Sequence, residues 1–254
     1  MLLTIDIGNT NTTFGLYRGK ERLHTWRIKT DAERMPDEYG IMVLGLFRHE
    51  RLEYKDINGV CIASVVPPLT QVFEEMSERY FHQQALVVTG NVETGVRIRY
   101  ENPASVGADR VADAAAVKRL YGVPACVVDF GTATTFDGIN AEGDYLGGAI
   151  APGIGIAADA LFQRAAKLPR VDLVRPPRAI GTNTVHAMQS GLLFGYVGLV
   201  EGMTARFRQE LGPEMQIIGT GGLAPVIAAE TDAIQHVNEW LTLEGLRIIW
   251  ELNQ

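Results

Sequence analysis

Two stretches decide how this chain reads: LTIDIGNTNTTFGLY (Leu3–Tyr17) near its start and CVVDFGTATTFDGI (Cys126–Ile139) near its middle. Each is an apolar run ending in aspartate, then a glycine-bearing turn rich in Thr or Asn, then a second apolar run. Aligned without gaps, DIGNTNTTFG meets DFGTATTFDG, so Asp6 matches Asp129, Gly8 matches Gly131, Thr12 matches Thr135 and Gly15 matches Gly138. Chance similarity of two strand–turn–strand units is the plainer alternative. Repetition at half the chain length instead predicts two similar lobes rather than a solenoid.

Working outward, LLTIDI, TTFGLY and RLHTWRIK read as three strands separated by turn signals. A helix follows from Pro36 to Glu50, with Ile41, Leu44 and Phe47 at helical spacing. GVCIASVV is a continuous apolar run, the mark of a strand buried on both faces. Pro67 and Pro68 open another helix, carrying Val72, Met76 and Tyr80 on one face. ALVVT and VRIRY read as two more strands. The second half repeats the plan: two strands from CVVDFGTATTFDGI, the strand YLGGAIAPGI, helices from about Ile156 and Asn183, the strand MQIIGT, a short helix, and a closing helix from Leu241 to Leu252. No low-complexity linker separates the halves. The expected lobes are residues 1–118 and 119–254.

The chain has 254 residues, 46% hydrophobic and 21% charged, which suits a globular protein with a substantial core. A formal net charge of −7 argues against general attraction to nucleic acid or an anionic membrane surface. The opening MLLTIDIGNT lacks a basic segment, so no signal peptide is expected, and glycines break the longest apolar runs, so no membrane span is expected. Count alone allows a disulfide between Cys61 and Cys126, but two buried reduced thiols in a cytoplasmic protein are the expectation. The five histidines are scattered, and no zinc site is expected.

A tight strand–turn–strand exposes successive backbone N–H groups, and small Thr and Asn side chains add neutral donors. Such a turn can cradle phosphate without a helix N-terminus. The adjoining Asp6 would repel phosphate unless a cation lay between them, and Mg²⁺ is commonly held by a carboxylate, phosphate oxygens and water. A hairpin whose Asp, Asn and Thr merely satisfy turn backbone is the alternative. Other phosphate motifs are weak. GLYRGKE has the wrong glycine spacing for a P-loop, and GIGIAA from Gly153 lacks the well-placed acid of a dinucleotide site.

In RIRYENPASVGADRVADAAAVKRL, Asp109 opens a helix after a loop carrying Asn102, Pro103, Ser105 and Gly107. An acid in the first turn is the ordinary choice against the helix dipole. Beside a phosphate site it could equally accept the proton of an attacking hydroxyl, with Arg110 holding an anionic substrate. Asp113, one turn on, reads as a surface or helix-pairing residue. Thr182 and Thr184 lie at a helix start, where they cap it or reach a ligand, with the cap favoured for Thr182. IIGTGG (Ile217–Gly222) is a strand running into glycines that either admit a nucleotide or simply turn the chain.

DIGNT, GADR, DFGTATTFD and GTGG, in this order over nearly the whole chain, resemble the type III pantothenate kinases of the acetate kinase, hexokinase and actin superfamily. The resemblance implies an α/β fold of two ribonuclease H-like lobes, mixed sheets flanked by helices, an interlobe cleft, and a last helix that packs back on the first lobe. It implies ATP-dependent phosphorylation of pantothenate, the first committed step of coenzyme A biosynthesis, in a cytoplasmic homodimer. By position, the ATP phosphate loop falls on Asp6, Ile7, Gly8, Asn9, Thr10, Asn11, Thr12 and Thr13, with Thr132 also contacting ATP. Asp109 becomes the proton acceptor. Pantothenate contacts fall on Tyr100, Gly107, Ala108, Asp109, Arg110 and Thr184, the last serving the neighbouring subunit's site. Asp129 would hold a monovalent cation, K⁺ or NH₄⁺, and Asp6 would hold Mg²⁺ or another divalent cation, through water. A nucleotide-binding regulatory protein of the same superfamily, lacking this kinase activity, is the other class; intact Asp109, Arg110 and Asp129 favour the enzyme.

Overall fold

A computed structural model describes all 254 residues, Met1–Gln254. The chain divides into two compact units: Met1–Ala116 together with Leu241–Gln254, and Val117–Trp240.

The first unit is built on strands β1 (Leu2–Ile7), β2 (Asn11–Arg18), β3 (Glu21–Lys29), β4 (Gly59–Ser64) and β5 (Leu86–Val87), in the order β3-β2-β1-β4-β5. The first three form an antiparallel meander, while β4 runs parallel to β1 and β5 parallel to β4. Helices α1 (Pro36–His49) and α2 (Pro67–Phe81) cover one face. Leu3, Ile5 and Ile7 of β1 meet Tyr39, Val43 and Phe47 of α1 and Leu69, Phe73 and Met76 of α2 in one core. Helix α7 (Leu241–Leu252) lies against β1 and β4 on the other face, where Leu243 approaches Gly15 and Trp250 approaches Gly59. Covered on both sides, β1 is buried along most of its length. Each fully buried aliphatic or aromatic side chain here contributes about 1.5–3 kcal/mol. Helix α3 (Ala108–Leu120) begins in this unit, and its last residues, from Val117, belong to the second.

The second unit carries β6 (Ala125–Phe130), β7 (Ala133–Ile139), β8 (Tyr145–Pro152), β9 (Gln216–Thr220) and β10 (His236–Val237), ordered β10-β9-β6-β7-β8. Again three strands form an antiparallel meander, with β9 parallel to the first of them and β10 parallel to β9. Strand for strand this is the topology of the first unit, so the repeat seen in two short motifs extends through both sheets. Its helices are α4 (Ile154–Arg164), the long α5 (Thr184–Leu211) and α6 (Ala224–Ala228). Cys126, Val128, Phe130 and Phe136 pack against Leu193, Val197 and Val200 of α5 and Ile227 of α6.

Three expectations change. VRIRY is not a strand: only Ile98 makes an isolated bridge, Val96 is buried, and Tyr100 lies on the surface. Helix α4 starts at Ile154, not Ile156, because Gly153 closes the preceding strand. Helix α5 is capped by neither threonine; Asn183 is the N-cap, its Oδ1 accepting from the His186 N–H at 2.9 Å. Cys61 and Cys126 are both free thiols and buried.

Candidate active site

In the first unit, β1 ends in Asp6 and Ile7, turns at Gly8–Thr10 and returns as β2, with Asp6 opposite Thr13 and Ile7 opposite Thr12. The Gly8 N–H donates to the Asn11 carbonyl at 3.0 Å, closing the turn. Asn9, Thr10 and Asn11 are exposed, Asp6 and Gly8 half-buried, and Thr12 and Thr13 buried. The Thr12 hydroxyl lies 2.9 Å from the Thr30 hydroxyl, which donates to the Gly8 carbonyl at 2.7 Å. Thr12 therefore shapes the turn from inside, while the exposed residues offer side chains and amides to a ligand.

Asp109 reaches the same end of the sheet by another route. Parallel pairing sets Ser64, the last residue of β4, beside Ile7 of β1. Val65 follows, its N–H donating to the Ile7 carbonyl at 3.1 Å, and its side chain lies against Gly107. The loop that starts α3 thus sits at the carboxyl ends of β1 and β4, the edge that also carries the Asp6 turn. Carboxyl ends of strands are where open α/β sheets bind ligands. A Cβ on Gly107 would overlap Oδ1 of Asp109, so glycine is what lets that carboxylate fold back over the helix start. The same Oδ1 accepts the Arg110 N–H at 2.8 Å. Ala108, Asp109 and Arg110 are half-buried, and Tyr100 is 41% exposed on the irregular segment that precedes them.

In the second unit Asp129 holds the place of Asp6, opposite Thr135 on β7. Glycine flanks its carboxylate twice: a Cβ would stand 3.4 Å from Oδ2 at Gly131 and 2.5 Å from Oδ1 at Gly221. The same added Cβ at Gly221 would stand 2.7 Å from the Phe130 carbonyl oxygen, and Gly221 has φ of +84°, so the GTGG turn folds directly onto Asp129. A carboxylate oxygen and a carbonyl oxygen therefore converge there, a donor set suited to a hard cation. Thr132 is exposed in the turn; Gly153 lies against its carbonyl, donating at 3.1 Å, which accounts for the first glycine of GIGIAA. The strand before that glycine runs antiparallel to β7, so no βαβ dinucleotide unit exists there. Asp137, fully buried, accepts from Tyr145 at 2.7 Å and Thr135 at 3.1 Å. Thr184 is exposed at the first turn of α5.

No group of three or more His, Cys, Asp or Glu gathers anywhere as a metal cage. The half-buried Asp6 carboxylate beside a turn of exposed Asn and Thr residues still fits Mg²⁺, whose remaining ligands are water and phosphate oxygens. Sequence reading missed Thr30, which lies just past β3 with no motif around it, and it left the pairing of Asp113 open.

A family model described as type III pantothenate kinase matches residues 2–206. This chain belongs to the type III pantothenate kinases. It is 54% identical over 253 residues to the type III pantothenate kinase of Moorella thermoacetica, covering 100% of both chains. It is 51% identical to that of Myxococcus xanthus, covering 100% of this chain and 99% of the relative. Among solved structures it resembles a Baf family protein from Campylobacter jejuni with a TM-score of 0.65 at 19% identity, covering 99% and 98% of the two chains. It also resembles the activator of 2-hydroxyisocaproyl-CoA dehydratase from Clostridium difficile with bound ADPNP, with a TM-score of 0.56 at 12% identity, covering 99% and 94%. These likenesses establish the fold, two α/β units with mixed sheets flanked by helices. No helix of this pantothenate kinase family member is long and apolar enough to cross a membrane.

Proposed function

We propose that the protein transfers the γ-phosphoryl group of ATP to the primary hydroxyl of pantothenate, giving phosphopantothenate for coenzyme A synthesis. The observation that carries this reading is the meeting of the Asp6 turn and Asp109 at the carboxyl ends of β1 and β4, in a chain of this family. The exposed amides and side chains of Asn9, Thr10 and Asn11 hold the phosphates, with Thr132 as a further ATP contact. Asp109 takes the proton of the pantothenate hydroxyl as its oxygen attacks the γ-phosphorus. The bond from that phosphorus to the β–γ bridging oxygen breaks in line, and ADP leaves. Such loose transition states need positioning and modest base assistance more than covalent chemistry. Arg110 supplies charge for the pantothenate carboxylate, with Tyr100, Gly107 and Ala108 lining the substrate. Asp6 would hold a divalent cation that would neutralise the terminal phosphates, and Asp129 would hold K⁺ or NH₄⁺, adding positive charge in a protein without a P-loop lysine.

We also assign a homodimer, in which Thr184 serves the partner subunit's site. Large apolar side chains left exposed on the second unit support it, Ile150 at 69% and Ile180 at 80% exposure among them. The cytoplasm, where ATP is made and free thiols persist, is the compartment this reading assigns. The test is ATP-dependent conversion of pantothenate with Mg²⁺, run in potassium and then in sodium. Turnover that needs potassium supports the whole assignment. Turnover indifferent to the monovalent ion removes the role of Asp129, and no turnover from folded, ATP-binding protein overturns the kinase.

A further inference from the structure

Thr30, half-buried immediately after β3, bonds to three alternate residues, Gly8 and Thr10 of the first turn and Thr12 of β2. Its N–H donates to the Thr10 carbonyl at 3.0 Å, its hydroxyl donates to the Gly8 carbonyl at 2.7 Å, and the Thr12 hydroxyl lies 2.9 Å from its own. A threonine hydroxyl has one proton. Since that proton goes to Gly8, the bond between the two hydroxyls runs from Thr12, which is fully buried, to Thr30. Every donor and acceptor in this short chain is thereby assigned one direction.

The consequence for the turn follows from peptide geometry. In a trans peptide the C=O and the next N–H point in opposite directions. With the Gly8 carbonyl drawn to Thr30, the N–H of Asn9 is turned away from Thr30, and Asn9 is exposed. We propose that Thr30 is a positioning residue for ATP: by holding the Gly8 carbonyl, it keeps the Asn9 amide presented to a phosphate oxygen. Without it the peptide between Gly8 and Asn9 can flip, and glycine on one side lowers the barrier to doing so. The amide would then have to be ordered at the moment of binding, a cost that preorganisation removes. The proposal rests on the reading of the Asp6 turn as the ATP phosphate loop, and extends it to a residue outside any motif.

Thr30→Val keeps the shape and the backbone bond but leaves the Gly8 carbonyl and the Thr12 hydroxyl without this partner; Thr30→Ser restores the hydroxyl. The measurements are the Kd of a non-hydrolysable ATP analogue with Mg²⁺ by calorimetry, and the KM values for ATP and pantothenate. Thr30→Val is expected to weaken analogue binding and raise KM for ATP by about tenfold, the scale of one to two lost hydrogen bonds, with KM for pantothenate unchanged. Thr30→Ser is expected to bind within about twofold of the native protein. If Thr30→Val does not fold, Thr30→Ala is read in the same way. Native-like binding by the hydroxyl-free variant overturns the proposal, as does a folded Thr30→Ser as weak as Thr30→Val. Asp6→Ala separates the two claims. Lost analogue binding there with none lost at Thr30→Val sinks only Thr30's role, whereas no loss in either variant sinks the phosphate loop itself.

Discussion

The hydroxyl of Thr242 on α7 donates a 2.8 Å hydrogen bond to Oδ1 of Asp113 on α3, a carboxylate only 2% exposed. Close by, Gly245 of α7 lies so near the Ala112 carbonyl that a Cβ would overlap it. Helix α7 thus clasps α3, whose first turn holds Asp109, while packing against β1, which ends in Asp6 and Ile7. One element ties Asp109 to the strand that carries the Asp6 turn.

That clasp predicts a sharp difference between two glycine substitutions. Gly245→Ala should destabilise the protein by about 2–3 kcal/mol, the cost of overpacking against rigid backbone. Gly45→Ala, on the exposed face of α1 with nothing within 4 Å, should stabilise by about 0.5–1 kcal/mol through helix propensity. Urea denaturation of both variants is the check, and equal effects would mean that α3 and α7 separate at little cost.

Asp109→Asn preserves shape and removes the proposed proton acceptor. Turnover should fall by about 10²–10⁴-fold while the Kd for ATP stays at its native value, since general base catalysis carries about that much. A folded variant that has lost nucleotide binding would instead assign Asp109 to ATP. Single-turnover kinetics alongside calorimetry separate the two.

Asp129→Asn replaces a charged oxygen donor with a neutral one where the Phe130 carbonyl and the Gly221 turn converge. Activation by potassium should disappear in the variant, and so should any upward shift in melting temperature when potassium replaces sodium. A retained shift would place the monovalent ion elsewhere.

Ile180→Asp puts a charge on the most exposed large apolar side chain of the molecule. Sedimentation should show a dimer for the native protein and a shift toward monomer for the variant. A monomeric native protein would remove the partner subunit's Thr184 from the site.

Burial pushes the thiols of both Cys61 and Cys126 well above the ordinary thiol range. Neither should react with a thiol reagent at pH 8 until the protein unfolds. The sign for stability follows from the same shift: an acid with a raised folded-state pKa stabilises fully below its unfolded value, and that contribution is lost as the pH climbs further. Stability should therefore decline above about pH 9, and the double Cys→Ser variant should decline less steeply.

The two aspartate turns were legible from local chemistry, because a strand that ends in Asp, Gly and small polar residues has few other conformations open to it. The helix from Asp109 was equally plain from its apolar spacing. VRIRY misled because alternating side chains describe a strand's faces but not whether a partner strand pairs along its length, and only Ile98 makes a bridge. Thr182 misled because three polar residues in a row, Thr182 to Thr184, offer the same cap, and backbone geometry chose Asn183.

By itself the sequence determined the repeat, the order of most elements, the acids near the ends of β1 and β6, and the family. Each of these depends on residues close together in the chain, where periodicity and turn preference act directly. Only the tertiary structure decided that Thr30 holds the Gly8 carbonyl, that Gly221 folds onto Asp129, and that Thr242 and Gly245 clasp the helix of Asp109. Those contacts join residues from 22 to 133 positions apart in the chain. A hydroxyl or a missing Cβ carries no mark in the sequence of the distant group it will meet, since the partner is selected by packing of whole sheets and helices.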